Sequence, residues 1–179
     1  RSIEEQKRFL KEELKLVALV TDLNMISKFT MNEVREHLDF VDNHQYWDHP
    51  WFPVRDWHLP YAFSNKSSIA NRAEHPRYLM PARIFGKPYT VTEFNFCNPN
   101  PYRGEAAPLI GGYAGLQDWD ALYRFAWSHG RYNMDKVDVP YGFDIVNDPQ
   151  AQLAERIINL LFMREYIRAA KPAFAFTCT

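Results

Sequence analysis

Short runs of strand-forming residues alternate with helical segments along this chain, and that alternation constrains its fold more than any other feature. Residues 16–20 are a continuous apolar run of strand length, as expected for a strand buried on both faces, and they close at polar residues 21–24. Residues 38–44 form a second run ending at His44, and residues 88–95 a third ending in Glu93, Phe94 and Asn95. A fourth run, 121–128, ends in Trp127 and Ser128, with His129 next. Helical stretches lie between and around them. Residues 2–14 carry a capping-box spacing at Ser2 and Glu5, and 31–37 read as a short helix. Residues 104–118 read as a helix despite Gly111, Gly112 and Gly115, a density that implies close packing. Residues 150–170 show the clearest amphipathic pattern, with Leu153, Ile157, Leu160, Leu161, Met163 and Ile167 as the expected apolar face. Asp148 stands as the cap of that helix, Pro149 as its first residue and Pro172 as its stop. The order α, β, α, β, long loop, β, α, β, α predicts an α/β chain with a parallel sheet, all within one domain over residues 1–171. Residues 172–179 read as a following strand or tail.

Among these runs, 88–95 carries the strongest chemical signal. Tyr89, Thr90, Val91 and Thr92 are strand formers. Strict alternation places Glu93 on the face of Tyr89 and Val91, toward the core. A carboxylate there must be protonated, paired or catalytic. A structural ion pair with an arginine is the competing reading. Polar groups collected at the carboxyl ends of parallel strands are the pattern of a barrel or of an open doubly wound sheet. No glycine-rich phosphate loop follows any of the runs, which argues against nucleotide binding.

Between residues 45 and 83 lies a long excursion holding Trp47, Trp51, Trp57, Tyr61 and Phe63 with three prolines. Loops of that length are commonly lids or binding loops. Two readings stay open for these rings, a stacking surface for a ligand and a satellite core. Aromatic residues make up 16% of the chain, and much of that share falls here. Histidines and carboxylates over 42–49 also raise a metal site, but no clean ligand spacing emerges. Twenty-one basic against 22 acidic residues, a net charge of −1, leave no basic groove for nucleic acid. No apolar run approaches the roughly 20 residues that span a bilayer. Cys97 and Cys178 are too few and too far apart for a disulfide framework. The chain starts in a helical segment without an initiator Met, and we expect a piece of a longer protein.

Three motifs together resemble the C-terminal half of a clan A type retaining glycoside hydrolase. They are Val91-Thr92-Glu93-Phe94-Asn95, Tyr113-Ala114-Gly115-Leu116-Gln117-Asp118-Trp119-Asp120, and Phe125-Ala126-Trp127-Ser128. The resemblance implies the second half of a (β/α)8 barrel, with residues 15–24, 38–44, 88–95 and 121–128 as strands five to eight. It implies Glu93 as nucleophile, with His44 and Tyr46 hydrogen-bonding it. Trp127 would be a platform under the sugar, its bond to Ser128 cis. Asn24, Trp47, Asn95 and His129 are further substrate-binding candidates. The acid/base glutamate of such enzymes has no counterpart in this chain, so the N-terminal half of the barrel is the expected partner, beside a carbohydrate substrate, with contacts along 15–24 and 121–128. No cofactor and no metal are implied. Polysaccharide-degrading enzymes are commonly exported, which would suit a secreted or periplasmic setting. A non-catalytic carbohydrate-binding or structural half-barrel is the alternative. Of the other acids, Glu105 is expected to pair with Arg103 or cap the next helix, Asp118 and Asp120 to serve turns, and Asp42 to hold an arginine.

Overall fold

The structure, a computed structural model, describes residues 2–25, 28–135, 137, 141–172 and 174–176. Its frame is a three-stranded parallel sheet in the order β1 (Val41–Trp47), β2 (Tyr89–Phe96), β3 (Ala121–Arg124). The helices are α1 (Ser2–Arg8), α2 (Asn32–Arg35), α3 (Glu74–Leu79), α4 (Gly112–Leu116), α5 (Arg131–Met134) and α6 (Pro149–Ile158). The chain is therefore mixed α/β.

One face of the sheet is apolar and the other polar. Tyr89, Val91, Phe94 and Phe96 of β2 pack with Leu79, Ile110, Ala114, Trp119, Ala154 and Ile158 from the helical layer. On the opposite face Thr90 and Thr92 reach across to Asp42 of β1. The Thr90 hydroxyl donates to Asp42 Oδ1 at 2.7 Å and the Thr92 hydroxyl to Oδ2 at 2.6 Å. A buried carboxylate is tolerated there because its oxygens are occupied. Asp42 holds the two threonines, and its charge also acts on the buried guanidinium of Arg35.

The run at 16–20 is not a strand. Leu16, Val17 and Leu19 are exposed, Val17 almost completely. The chain instead lies against the outer edge of β1 in irregular form. Val20 O accepts from Asp39 N at 2.9 Å, and Asn24 O from His44 N at 2.6 Å. An apolar run of this kind reports only a need for cover, and among the described residues Val17 and Leu19 stay largely uncovered. The fourth run is shorter than expected, since pairing with β2 ends near Arg124. The non-proline cis bond lies at Phe125–Ala126, not at Trp127–Ser128.

The segment expected as one helix over 104–118 is built in steps. Asn100 Oδ1 accepts from Tyr102 N at 2.8 Å and caps a 3₁₀ turn, Pro101–Glu105. A wide π turn follows at Ala107–Gly111, where Pro108 lacks the backbone donor of a regular turn, and then α4. Two of its glycines are packing requirements. A Cβ on Gly111 would lie 2.9 Å from Ile158 Cα, and one on Gly115 2.8 Å from Ile167 O. Asp148 caps α6 as expected, accepting from Gln150 N and Ala151 N. The helix is shorter than 150–170, passing into a π turn at Asn159–Met163. It also buries a different face: Ala151, Ala154 and Ile158 pack inward, while Leu153, Leu160 and Met163 are exposed. Small residues face inward where α6 packs on the turns at Pro101–Glu105 and Ala107–Gly111, and the close approach at Gly111 leaves little room there. Residues 174–176 are exposed and irregular, and the remainder of the expected final strand lies outside the described residues. No helix among the described residues is long and apolar enough to cross a membrane.

The excursion between β1 and α3 is tied down by two carboxylates. Asp48 accepts from Ser64 N, Asn65 N and Asn100 Nδ2, at 2.6 to 2.8 Å. Glu105 accepts from the Ser67 hydroxyl at 2.6 Å, Ser68 N at 2.8 Å and Ile69 N at 3.0 Å. Glu105 thus anchors the loop and does not pair with Arg103, whose guanidinium goes to Asp148.

Candidate active site

Glu93 does not share the face of Val91. Pairing shifts register between Asp42 and His44 and again between Val91 and Phe94, so the alternation breaks just where the carboxylate stands. Phe94 takes the core position, and Glu93 turns out beside the polar face with its side chain 35% exposed. It sits at the carboxyl-end half of β2, in register with His44 of β1.

Two side chains of β1 converge on one oxygen of that carboxylate. The Tyr46 hydroxyl donates to Glu93 Oε2, and His44 Nδ1 lies 3.6 Å from the same oxygen. His44 is itself held from behind. Its Nε2 donates to Thr92 Oγ1 at 2.8 Å, an oxygen free to accept because its own proton is given to Asp42. Asp42 Oδ2 lies 3.3 Å from the same nitrogen. Burial, reinforced by the hydrogen bond to Glu93 and its charge, pushes the Tyr46 phenol far above its ordinary range. Tyr46 is thus a fixed proton donor. Glu93 Oε1 carries no hydrogen bond among the described residues. One oxygen is braced and the other is left to face a reacting atom.

Around this cluster runs a chain of ring contacts. Tyr46 touches His49 at 6.0 Å and Phe125 at 6.5 Å, mostly edge-on. From His49 the contacts continue through Trp57, Phe52 and Tyr61 to Tyr141. From Phe125 they pass through His129 to the same Tyr141, so the circuit closes. Phe143 lies against Tyr46 and His49, at 4.7 and 5.5 Å. The Tyr141 hydroxyl donates to Trp57 O at 2.8 Å and joins the two loops that supply the rings. Half the Trp57 surface stays open to solvent.

Of the residues picked from sequence, the structure brings together Glu93, His44 and Tyr46. Trp47 departs from expectation: it is buried in the core and its indole donates to Lys66 O at 2.8 Å, so it offers no stacking face. Asn95 is 1% exposed, and its amide nitrogen is committed to Phe125 O and Phe143 O at 2.7 and 2.6 Å. It holds the loops of the aromatic wall in place rather than meeting solvent. Asn24 meets the site through its backbone carbonyl on His44 N. Trp127 is half exposed, and its carbonyl accepts from Val146 N at 3.0 Å. His129 stands in the ring circuit. Sequence reading missed Tyr141, Phe143 and Asp144. The stretch 141–144 was their signal, since it sets two aromatic residues beside an aspartate as the loop at 45–63 does.

Comparison of the chain with models of protein families, with curated proteins and with solved structures finds no match.

Proposed function

We propose that this chain is the C-terminal half of a (β/α)8 barrel that hydrolyses glycosidic bonds with retention, with Glu93 as nucleophile. The observation that carries the reading is the one-sided bracing of the Glu93 carboxylate by the Tyr46 hydroxyl, with the His44 ring 3.6 Å from the same oxygen. A nucleophilic carboxylate needs one oxygen fixed and the other open, and a donor that stays protonated keeps the charge in place until attack. The closed circuit of rings supplies apolar faces for sugar C–H groups next to that oxygen. A retaining mechanism requires a second carboxyl group about 5 Å away to protonate the leaving oxygen. The buried Asp42 is occupied by its threonines, so that acid would come from an N-terminal half carrying strands one to four. That half would also pair with the free edge of β3.

The test is covalent trapping in the polypeptide as its own gene encodes it. A panel of 2-deoxy-2-fluoroglycosyl fluorides should add one glycosyl mass to the peptide holding Glu93. Glu93→Gln should abolish both labelling and turnover while sugar binding persists. Full turnover in Glu93→Gln would refute the assignment. A second reading, carbohydrate binding without catalysis, draws on the want of a second exposed carboxylate in the cluster among the described residues; sugar binding with no turnover in the whole polypeptide would select it.

A further inference from the structure

The loops after β3 hold a second polar pair, outside the Glu93 cluster. Asp144 is 2% exposed, and both of its oxygens are engaged. Oδ1 accepts from the His129 backbone N–H at 2.9 Å and from His129 Nδ1, and Oδ2 accepts from Asn133 Nδ2 at 2.8 Å. A carboxylate can only accept, so Nδ1 carries the proton in this bond. In the neutral ring the lone pair is then left on Nε2. The imidazole is also held laterally, edge-on to Phe125 at 5.0 Å and to Tyr141 at 5.8 Å. Its side chain is 31% exposed, and Nε2 has no hydrogen-bond partner among the described residues. Phe125 in turn contacts Tyr46, the donor to Glu93.

We propose that His129 is a ligand-contacting residue: its Nε2 accepts a hydrogen bond from a hydroxyl of a polyhydroxylated ligand lying along the aromatic wall, beside the Glu93 carboxylate. The sugar identity of that ligand rests on the reading of the Glu93 site. The presented acceptor rests on the Asp144 pair alone. A histidine that merely braced a loop could do so through its backbone N–H, which Asp144 already binds. Here the carboxylate instead fixes the tautomer and ring angle, the arrangement that aims an imidazole nitrogen at a partner. Neighbouring ring faces exclude water from one side of such a bond and leave the hydroxyl few other acceptors.

The experiment is a long-range proton–nitrogen NMR spectrum of the labelled polypeptide as its own gene encodes it, with His129→Gln assigning the ring. Neutral oligosaccharides of glucose, xylose, mannose and galactose are then added. We expect the free protein to show His129 protonated on Nδ1, with Nε2 bare. A sugar that perturbs the Tyr46 ring should also shift His129 Nε2. His129→Ala should weaken binding of that sugar roughly 10-fold, in line with the loss of one hydrogen bond. His129→Gln, which keeps an acceptor at that reach, should recover part of the loss. A sugar that moves Tyr46 and leaves His129 unmoved would overturn this assignment alone. If no sugar moves either ring, the carbohydrate reading of the Glu93 site falls and takes this one with it. A proton on Nε2 in the free protein would overturn the presented acceptor whatever binds.

Discussion

Removing the Asp148 carboxylate should destabilise this fold more than any other single change at its polar positions. Asp148 is 1% exposed. It accepts from Arg103 Nε at 2.5 Å and Nη2 at 3.0 Å, from Asn98 Nδ2 at 2.9 Å, and from the first free N–H groups of α6. It therefore joins the loop after β2, the turn before α4 and the start of α6. Truncating one partner of a buried ion pair costs about 3–5 kcal/mol. Arg103 keeps some contact with solvent, at 17% exposure, which favours the lower end. Loss of the helix cap adds about 1 kcal/mol. Asp148→Ala should then cost about 4 kcal/mol, or roughly 10 °C in Tm for a chain of this size. Asp148→Asn, which keeps an oxygen for the cap, should recover about 1 kcal/mol of that.

The pH dependence follows from the same contacts. Burial pushes the Asp148 carboxyl upward, but Arg103, Asn98 and the Ala151 N–H pull it down harder, and it lies below the ordinary carboxylate range. A folded value below the unfolded one means the stabilisation is present above about pH 4 and lost as pH falls through the folded value. Urea unfolding followed by circular dichroism at pH 7 and at about pH 3 measures both effects. The gap between wild type and Asp148→Ala should narrow in acid. A loss below about 1 kcal/mol at pH 7, or a gap that stays constant with pH, would refute the argument, since the larger part of the loss comes from the charge.

Two further changes probe what holds the site in place. Glu105→Ala removes the acceptor for Ser67, Ser68 and Ile69. It should cost about 2–3 kcal/mol and speed proteolytic cleavage within residues 64–73, read by limited digestion and mass spectrometry; unchanged cleavage would deny the anchor. Gly111→Ala drives a methyl to 2.9 Å from Ile158 Cα and should cost about 1–3 kcal/mol in urea unfolding. Gly142→Ala, with open space around its position, is the control and should change little.

The sequence by itself determined the elements whose residues leave few alternatives. Residues 89–92 hold β-branched and aromatic side chains in succession, and the strand formed there. Asp148 followed by Pro149 marked the start of α6 because an acceptor side chain and a residue without a donor suit a helix entrance and little else. Closely spaced glycines announced a tight approach, which proved to be that of Gly111 to α6 and of Gly115 to Leu161 and Ile167. Glu93, His44 and Tyr46 were legible as a set through the motif resemblance, and the pairing of two parallel strands brings them together.

Tertiary structure decided the rest, and the reason differs at each place. Hydrophobicity states that a segment wants cover without saying what covers it, so residues 16–20 read as a buried strand yet 16–19 lie exposed, while α6 buries two alanines and Ile158 and shows solvent Leu153. Side-chain alternation assumes an unbroken register, and the shift between Val91 and Phe94 moved Glu93 off the apolar face on which counting by twos had placed it. Trp47 and Trp57 look alike in a loop rich in aromatics; only the fold sends one into the core and leaves the other half open. Asp144 and His129 stand 15 residues apart, and nothing local joins them. Which carboxylate braces a loop and which meets a ligand depends on how many donors surround it, and those donors come from distant parts of the chain.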